Sequence, residues 1–207
     1  MKNSVGDQTP DEILMAAYQA GSEAAFGQLF ERHAGSVYGF LVRRLGDHTL
    51  AEDLYQEAFL RVHRGRQTYD ARRPFRAWLF GIVHNLLTDT LRSRGRVPET
   101  TSLDQPWAVP GSDATGGQGR RYDVPADGAS PEALVAARQS AVFLERALGT
   151  LSSDEATALI LARVEGLSYA DIGSILGRSV VATKQLAYRA LKRVRAKMIA
   201  DGHQEEP

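Results

Sequence analysis

The chain has 207 residues, is 43% hydrophobic and carries no net formal charge, with 25 basic side chains against 25 acidic ones. It has no cysteine, which excludes disulfides and thiolate metal centres, and its five histidines are scattered, so neither a zinc site nor export is expected. Residues 1–12 are polar and no apolar run approaches the roughly 20 residues of a membrane span, so the reading is a cytoplasmic protein without membrane insertion.

The first predicted elements are amphipathic helices. "DEILMAAYQA" and "EAAFGQLFERHAGSVYGFLVRRL" set apolar residues three and four apart. Asp47 then precedes a third helix, "LAEDLYQEAFLRVHR", whose buried side is Leu54, Ala58 and Val62 with Tyr55 and Phe59. That leaves Glu52, Asp53, Gln56, Glu57 and Leu60 outward. An acidic face ending in a leucine suits protein docking better than DNA contact, and simple solvation explains it equally well. The fourth helix starts at Pro74, a favourable first-turn residue, and runs "PFRAWLFGIVHNLLTDTLRSRGR".

The neutral total conceals segregation. From Arg61 to Arg96 every formally charged residue except Asp70 and Asp89 is an arginine. Within it, "RGRQTYDARRPFRAWLF" interleaves Tyr69, Phe75, Trp78 and Phe80 with arginines that include Arg72 and Arg73. Rings and guanidinium groups together are what unpaired bases need, since any base can stack while arginine neutralises phosphate. Phe75, Leu79, Ile82, Val83 and Leu86 have helical core spacing, and for Trp78 burial and base contact stay open as alternatives. Opposite that apolar stripe lie Asn85, Asp89, Arg92 and Arg96. They form either a solvated face braced through Asp89 or a surface laid against nucleic acid.

Between Val97 and Ser130 the periodicity disappears among prolines and glycines, which predicts a linker. Beyond it, Ser130 can cap a helix running to residue 151, and "SSDEATALILARVEGL" repeats the Ser/Asp-rich start. In "SYADIGSILGRSVVATKQ", Ser168 can cap a short helix, Gly177 can take the left-handed turn, and Ser179 can cap a second helix reaching about Lys197. Gly173 is the small residue where the two would cross. This spacing fits a helix-turn-helix with Val181, Thr183, Lys184 and Gln185 outward near the base edges and Tyr188, Arg189, Lys192 and Arg193 able to reach phosphates. A helical hairpin with a solvated basic face is the plainer reading, but from Lys184 to Lys197 there is no acid at all.

The expected fold is therefore all-α: two small helical bundles joined by a long flexible linker, divided as 1–96, 97–130 and 131–200, with an acidic tail at 201–207. No catalytic residues, metal site or cofactor are expected, because Asp53 and Glu57 lack an accompanying histidine and no glycine-rich phosphate loop follows a strand.

Taken in order, these motifs resemble the extracytoplasmic-function sigma factors of the sigma-70 family, over nearly the whole chain. The resemblance implies a first domain (region 2) in which Asp53, Gln56, Glu57 and Leu60 meet the clamp helices of the largest subunit of core RNA polymerase. It implies that the Gln67 to Pro74 loop, with Tyr69, Arg72 and Arg73, captures a flipped base of the minus-ten element, with Trp78, Asn85, Asp89 and Arg92 behind it. It implies that Thr183, Lys184, Gln185, Arg189 and Arg193 belong to the minus-thirty-five reading helix of region 4. The implied partners are core polymerase, at its clamp helices and flap, promoter DNA in duplex and single-stranded form, and an anti-sigma factor. One departure is that Leu186 stands where the family usually has an arginine; another is the long, Gly-rich linker. The alternatives are an ordinary helix-turn-helix regulator binding duplex operator DNA as a dimer, and a helical adaptor that binds only protein. The aromatic and arginine cluster near Tyr69 and Trp78 speaks against a duplex-only regulator.

Overall fold

The computed structural model describes residues 9–95 and 146–200, and no strand occurs among them. The linker expected over 97–130, most of the helix expected over 130–151 and the tail at 201–207 lie outside the described residues.

The first domain is α1 (Asp11–Gln19), α2 (Glu23–Leu45), α3 (His48–Gly65), a short 3-10 turn (Arg66–Thr68) and α4 (Phe75–Ser93). Local chemistry sets the boundaries. Ser22 accepts a hydrogen bond from the Ala25 amide to start α2, and Gly46 ends it at φ 64°, a left-handed conformation that glycine adopts without steric cost. The Asp47 carboxylate accepts from the Leu50 amide at 3.1 Å, so α3 begins at His48, two residues before the apolar pattern does. α4 starts at Phe75, with Pro74 as its cap residue, and ends three residues before the expected 96. Gly95 turns left-handed there and its amide bonds to the Arg92 carbonyl.

The core of this domain is aromatic. Phe40 and Phe80 meet edge to face at 5.6 Å, and Tyr18, Phe75, Met15, Leu41 and Leu87 are fully buried beside them. Such offset ring geometry adds to the burial of area. α2 packs on α1 and α3, and α4 closes the bundle against α3.

After a helical turn at 146–149, the second domain consists of α5 (Ser153–Arg163), α6 (Tyr169–Leu176) and α7 (Val180–Ala200). Ser152 and Glu155 form a reciprocal capping box at the start of α5. Every residue of α5 from Glu155 to Leu161 is buried, so it is the central helix. α7 crosses it with Leu186, Ala187, Ala190 and Val194.

The two domains touch directly, α6 against α4 and α5 against α2. Polar groups lie along this seam. Arg76 on α4 donates to the Glu165 carbonyl at 2.7 Å and to its carboxylate at 3.3 Å. Arg44 at the end of α2 donates to the Ser153 hydroxyl at 2.8 Å. Burial pushes the Glu165 carboxyl up, against the opposing effects of Ser36, Arg76 and Arg43. Burial likewise pushes Arg44 down to about 10 and His84 down to about 4.

Candidate nucleic-acid interfaces and docking face

The helix-turn-helix is assembled by its own residues. Ser168 accepts from the Asp171 amide at 3.1 Å while its hydroxyl donates to the Asp171 carboxylate at 2.6 Å. Gly177 sits at φ 63°, and the Arg178 amide bonds back to the Gly173 carbonyl at 2.8 Å. A Cβ placed on Gly173 would lie 2.7 Å from the Arg178 carbonyl oxygen and 3.2 Å from Thr183 Oγ1, so only glycine permits this crossing. Ser179 accepts from the Ala182 amide at the start of α7. Further support comes from outside the hairpin, where Arg178 pairs with Asp154 at 2.6 Å.

Along α7 the outward residues are Val181, Lys184, Gln185, Tyr188, Arg189 and Lys192. Thr183 is not among them, which corrects the sequence expectation. It is fully buried, and its hydroxyl donates to the Ser179 carbonyl at 2.9 Å. Arg193 is exposed, but it donates to the buried Glu155 carboxylate at 2.7 Å and so braces α7 on α5. Leu186 is also buried, which means that the departure at this position alters the hairpin's core and leaves the outward face alone.

The loop from Arg66 to Pro74 is built differently. Its tip is a tight turn in which the Asp70 carboxylate accepts from both the amide and the guanidinium of Arg72. Those bonds hold the Asp70 carboxyl down to about 2. Arg72 and Arg73 are exposed. Beneath them the Tyr69 ring is only 5% exposed, lies 5.1 Å from the Trp78 ring, and donates its hydroxyl to the Arg73 carbonyl at 2.7 Å. Burial pushes that phenol up. Trp78 is 3% exposed. Both rings therefore form the floor of the loop, and neither offers a free stacking face. For Tyr69 the sequence expected a ring open to bases and the structure buries it; of the two alternatives for Trp78, burial is what the structure presents. Asn85, Asp89 and Arg92 are exposed along α4 as the spacing predicts, on the stripe that also contains Trp78.

Sequence reasoning missed what holds this loop. The Gln19 carboxamide donates to the Arg66 carbonyl at 2.7 Å and the Tyr69 carbonyl at 3.0 Å, and Gln67 donates back to the Gln19 carbonyl at 3.1 Å. Glu12 accepts from the Phe75 amide at 2.9 Å. These partners are far apart in the chain, and no local pattern announces them.

On α3, Asp53 and Leu60 are exposed while Gln56 and Glu57 are half-buried. Glu57 is paired with Arg61 at 2.9 Å, which leaves Asp53 as the more open acid of the two. No described helix is long and apolar enough to cross a membrane, and no cluster of metal-ligating side chains occurs among the described residues.

Sigma-70 region 2 matches residues 29–97 and Sigma-70, region 4 matches residues 144–194. The first match begins after α1. The chain is 34% identical to the RNA polymerase sigma factor CarQ of Myxococcus xanthus over 181 residues, covering 87% of this chain and 93% of that one. It is 32% identical to the ECF RNA polymerase sigma factor SigE of Mycolicibacterium smegmatis over 93% of this chain and 65% of that one. Among solved structures, CnrH in complex with the cytosolic domain of CnrY aligns with a TM-score of 0.66 and 27% identity, over 93% of this chain and 99% of that chain.

Proposed function

Because the chain belongs to the extracytoplasmic-function RNA polymerase sigma factors, we propose a division of labour among its surfaces. It is an alternative sigma factor that directs promoter-specific initiation, not an enzyme, and family membership displaces the operator-binding dimer as an explanation of its helix-turn-helix. Residues 1–96 bind core polymerase and open the minus-ten element, and residues 131–200 read the minus-thirty-five element. In the first domain, Arg72 and Arg73 at the loop tip and Asn85, Asp89 and Arg92 on α4 contact the opened strand, above a floor of Tyr69 and Trp78. In the second, Lys184 and Gln185 face base edges, Arg189 and Arg193 face phosphates, and Thr183 fixes the helix from beneath.

The observation that carries this reading is that one chain presents two separately built DNA faces, the loop with its α4 stripe and the outward face of α7. Capture of unpaired bases offsets an unstacking cost of a few kcal/mol per base, so promoter opening needs no nucleotide hydrolysis by the factor. Asp53, Gln56, Glu57 and Leu60 form the docking face for the polymerase clamp helices, and the second domain meets the flap. The site of action is the cytoplasm, where these partners are. CnrH was solved with the cytosolic domain of CnrY, and a protein partner, an anti-sigma factor, is the proposed regulator here.

Adding the full chain to core polymerase and a random promoter library tests the reading. Run-off transcripts dependent on the chain are expected, and an Asp53→Lys, Glu57→Lys variant should fold normally yet lose affinity for core. A chain that ignores core but binds a palindromic duplex tightly would overturn it.

A further inference from the structure

The loop proposed to capture a base is anchored at both ends by α1, which lies ahead of the matched region 2. α1 is nine residues long, about 13 Å from end to end. Its two ends carry different chemistry toward the loop. At its start, Glu12 accepts from the Phe75 amide, one of the donors that every helix N-terminus leaves unpaired. Pro74 has no side-chain cap to offer α4, so Glu12 supplies that cap from another helix, with a negative charge where the helix dipole favours one. At the far end of α1, both carboxamide hydrogens of Gln19 are used on the loop, one on the Arg66 carbonyl and one on the Tyr69 carbonyl. Gln67 closes the circuit by donating to the Gln19 carbonyl, and the Arg66 guanidinium lies 5.6 Å above the ring of Tyr18 next door.

We propose that α1 is a strut that sets the shape of the 66–74 loop, with Gln19 as a positioning residue for base capture and Glu12 as its counterpart at the α4 end. The inference deepens the proposed function and rests on its reading of the loop. Inside the loop the Tyr69 amide reaches the Arg66 carbonyl at 3.4 Å and closes the 3-10 turn; the donor group that joins the Arg66 and Tyr69 carbonyls belongs to Gln19. A captured base needs its pocket formed before it arrives, because ordering the loop at that moment would subtract from the contact energy that holds the base out of the duplex.

Gln19→Glu is the informative variant. It keeps the size of the side chain but replaces two donors with acceptors facing two carbonyl oxygens, so the loop must move away. The probe is the single-stranded minus-ten segment of the strongest promoter recovered from the library, made with each base intact and with an abasic site at the captured position. Wild-type holoenzyme should prefer the intact strand by about tenfold, the scale of one base held by directed polar contacts. The Gln19→Glu holoenzyme should reduce that preference to within about twofold, with affinity for core and for the abasic strand unchanged, and Glu12→Ala should shrink it in the same sense. Gln19→Asn, which keeps the donors on a shorter stem, should recover part of it.

Retention of the full preference by Gln19→Glu and Glu12→Ala would overturn the proposal. Equal weakening on both strands would also overturn it, since that is the signature of a general loss of fold. If wild-type holoenzyme itself shows no preference, the reading of the loop fails first and the strut has no base to position.

Discussion

The two surfaces proposed to meet DNA are shaped by different means. The helix-turn-helix is held chiefly from within its own sequence: Ser168, Gly173, Gly177, Ser179 and Thr183 fix the caps, the turn and the crossing inside sixteen residues. The 66–74 loop forms its own tip turn through Asp70, Arg72 and the Tyr69–Arg73 bond, but its ends are held from outside, by Gln19 and Glu12 on a helix more than 40 residues earlier and by the buried Trp78 on the helix that follows. A self-shaped hairpin can be rigid before it meets DNA, which suits reading of intact duplex. A loop braced by its surroundings couples base capture to the integrity of the whole first domain.

Trp78→Ala is the largest test of that contrast. Removing a buried indole costs about 4 kcal/mol through lost burial and the cavity left behind. The Tyr69 ring, 5.1 Å away, then loses its neighbour and the loop loses its floor. The urea midpoint of the first domain should fall sharply and strand opening should fail, while affinity for a minus-thirty-five duplex should change little. Equal losses in both assays would mean that the α4–α6 seam joins the domains into one cooperative unit and that the contrast is only geometric.

The seam provides the next test, through pH. His84 sits on α4 with its ring nitrogen Nδ1 lacking a hydrogen-bond partner, and burial holds its pKa down to about 4. The sign follows from the depressed value. Above pH 6.5 the ring is neutral in the folded and unfolded chain alike, and the full stability is present. As pH falls from 6.5 toward 4 the unfolded chain takes up a proton that the folded chain refuses, so stability declines, by about 3 kcal/mol over the window. Urea melts at pH 7 and pH 5 sample the first part of this decline, about 2 kcal/mol. The decline should be concentrated in the first domain and the seam, and His84→Gln should flatten it.

The same contrast explains what was legible in the sequence. Helix type and the Asp47, Ser152 and Ser168 starts were readable because each cap is a local bond between a side chain and a backbone group three residues away, and the Gly177 turn because glycine takes the left-handed conformation. Thr183 was misread as outward although a signal existed: it stands in register with Ala187, Ala190 and Val194, the stripe that α7 turns to the core. Trp78 gave no such signal. It lies on the same α4 stripe as the exposed Asn85, and the rings packed on it are Phe75 and Tyr69, the latter folded over from a loop whose path no periodicity encodes. Gln19 was invisible for the same reason. Its bonds go to backbone carbonyls, which carry no residue identity to be recognised.

Gly173→Ala sets the lower end of the scale and separates the two surfaces most cleanly. The added methyl would lie 2.7 Å from the Arg178 carbonyl oxygen, a backbone atom with no freedom to swing aside, so α6 must shift from the start of α7. The hydrogen bond from the Arg178 amide to the Gly173 carbonyl and the packing of Thr183 against the crossing strain together. Overpacking at such a contact costs about 2 kcal/mol. α5 keeps its own capping box and is tied to the clashing residue by the side-chain pair Arg178–Asp154, so the second domain should stay folded while the angle of the reading helix changes. Holoenzyme carrying Gly173→Ala should therefore lose duplex affinity at the minus-thirty-five element and keep its preference for an intact minus-ten base over an abasic one. A loss of both would show that the angle of α7 is transmitted through α6 to α4, and that the loop depends on the second domain as well as on α1.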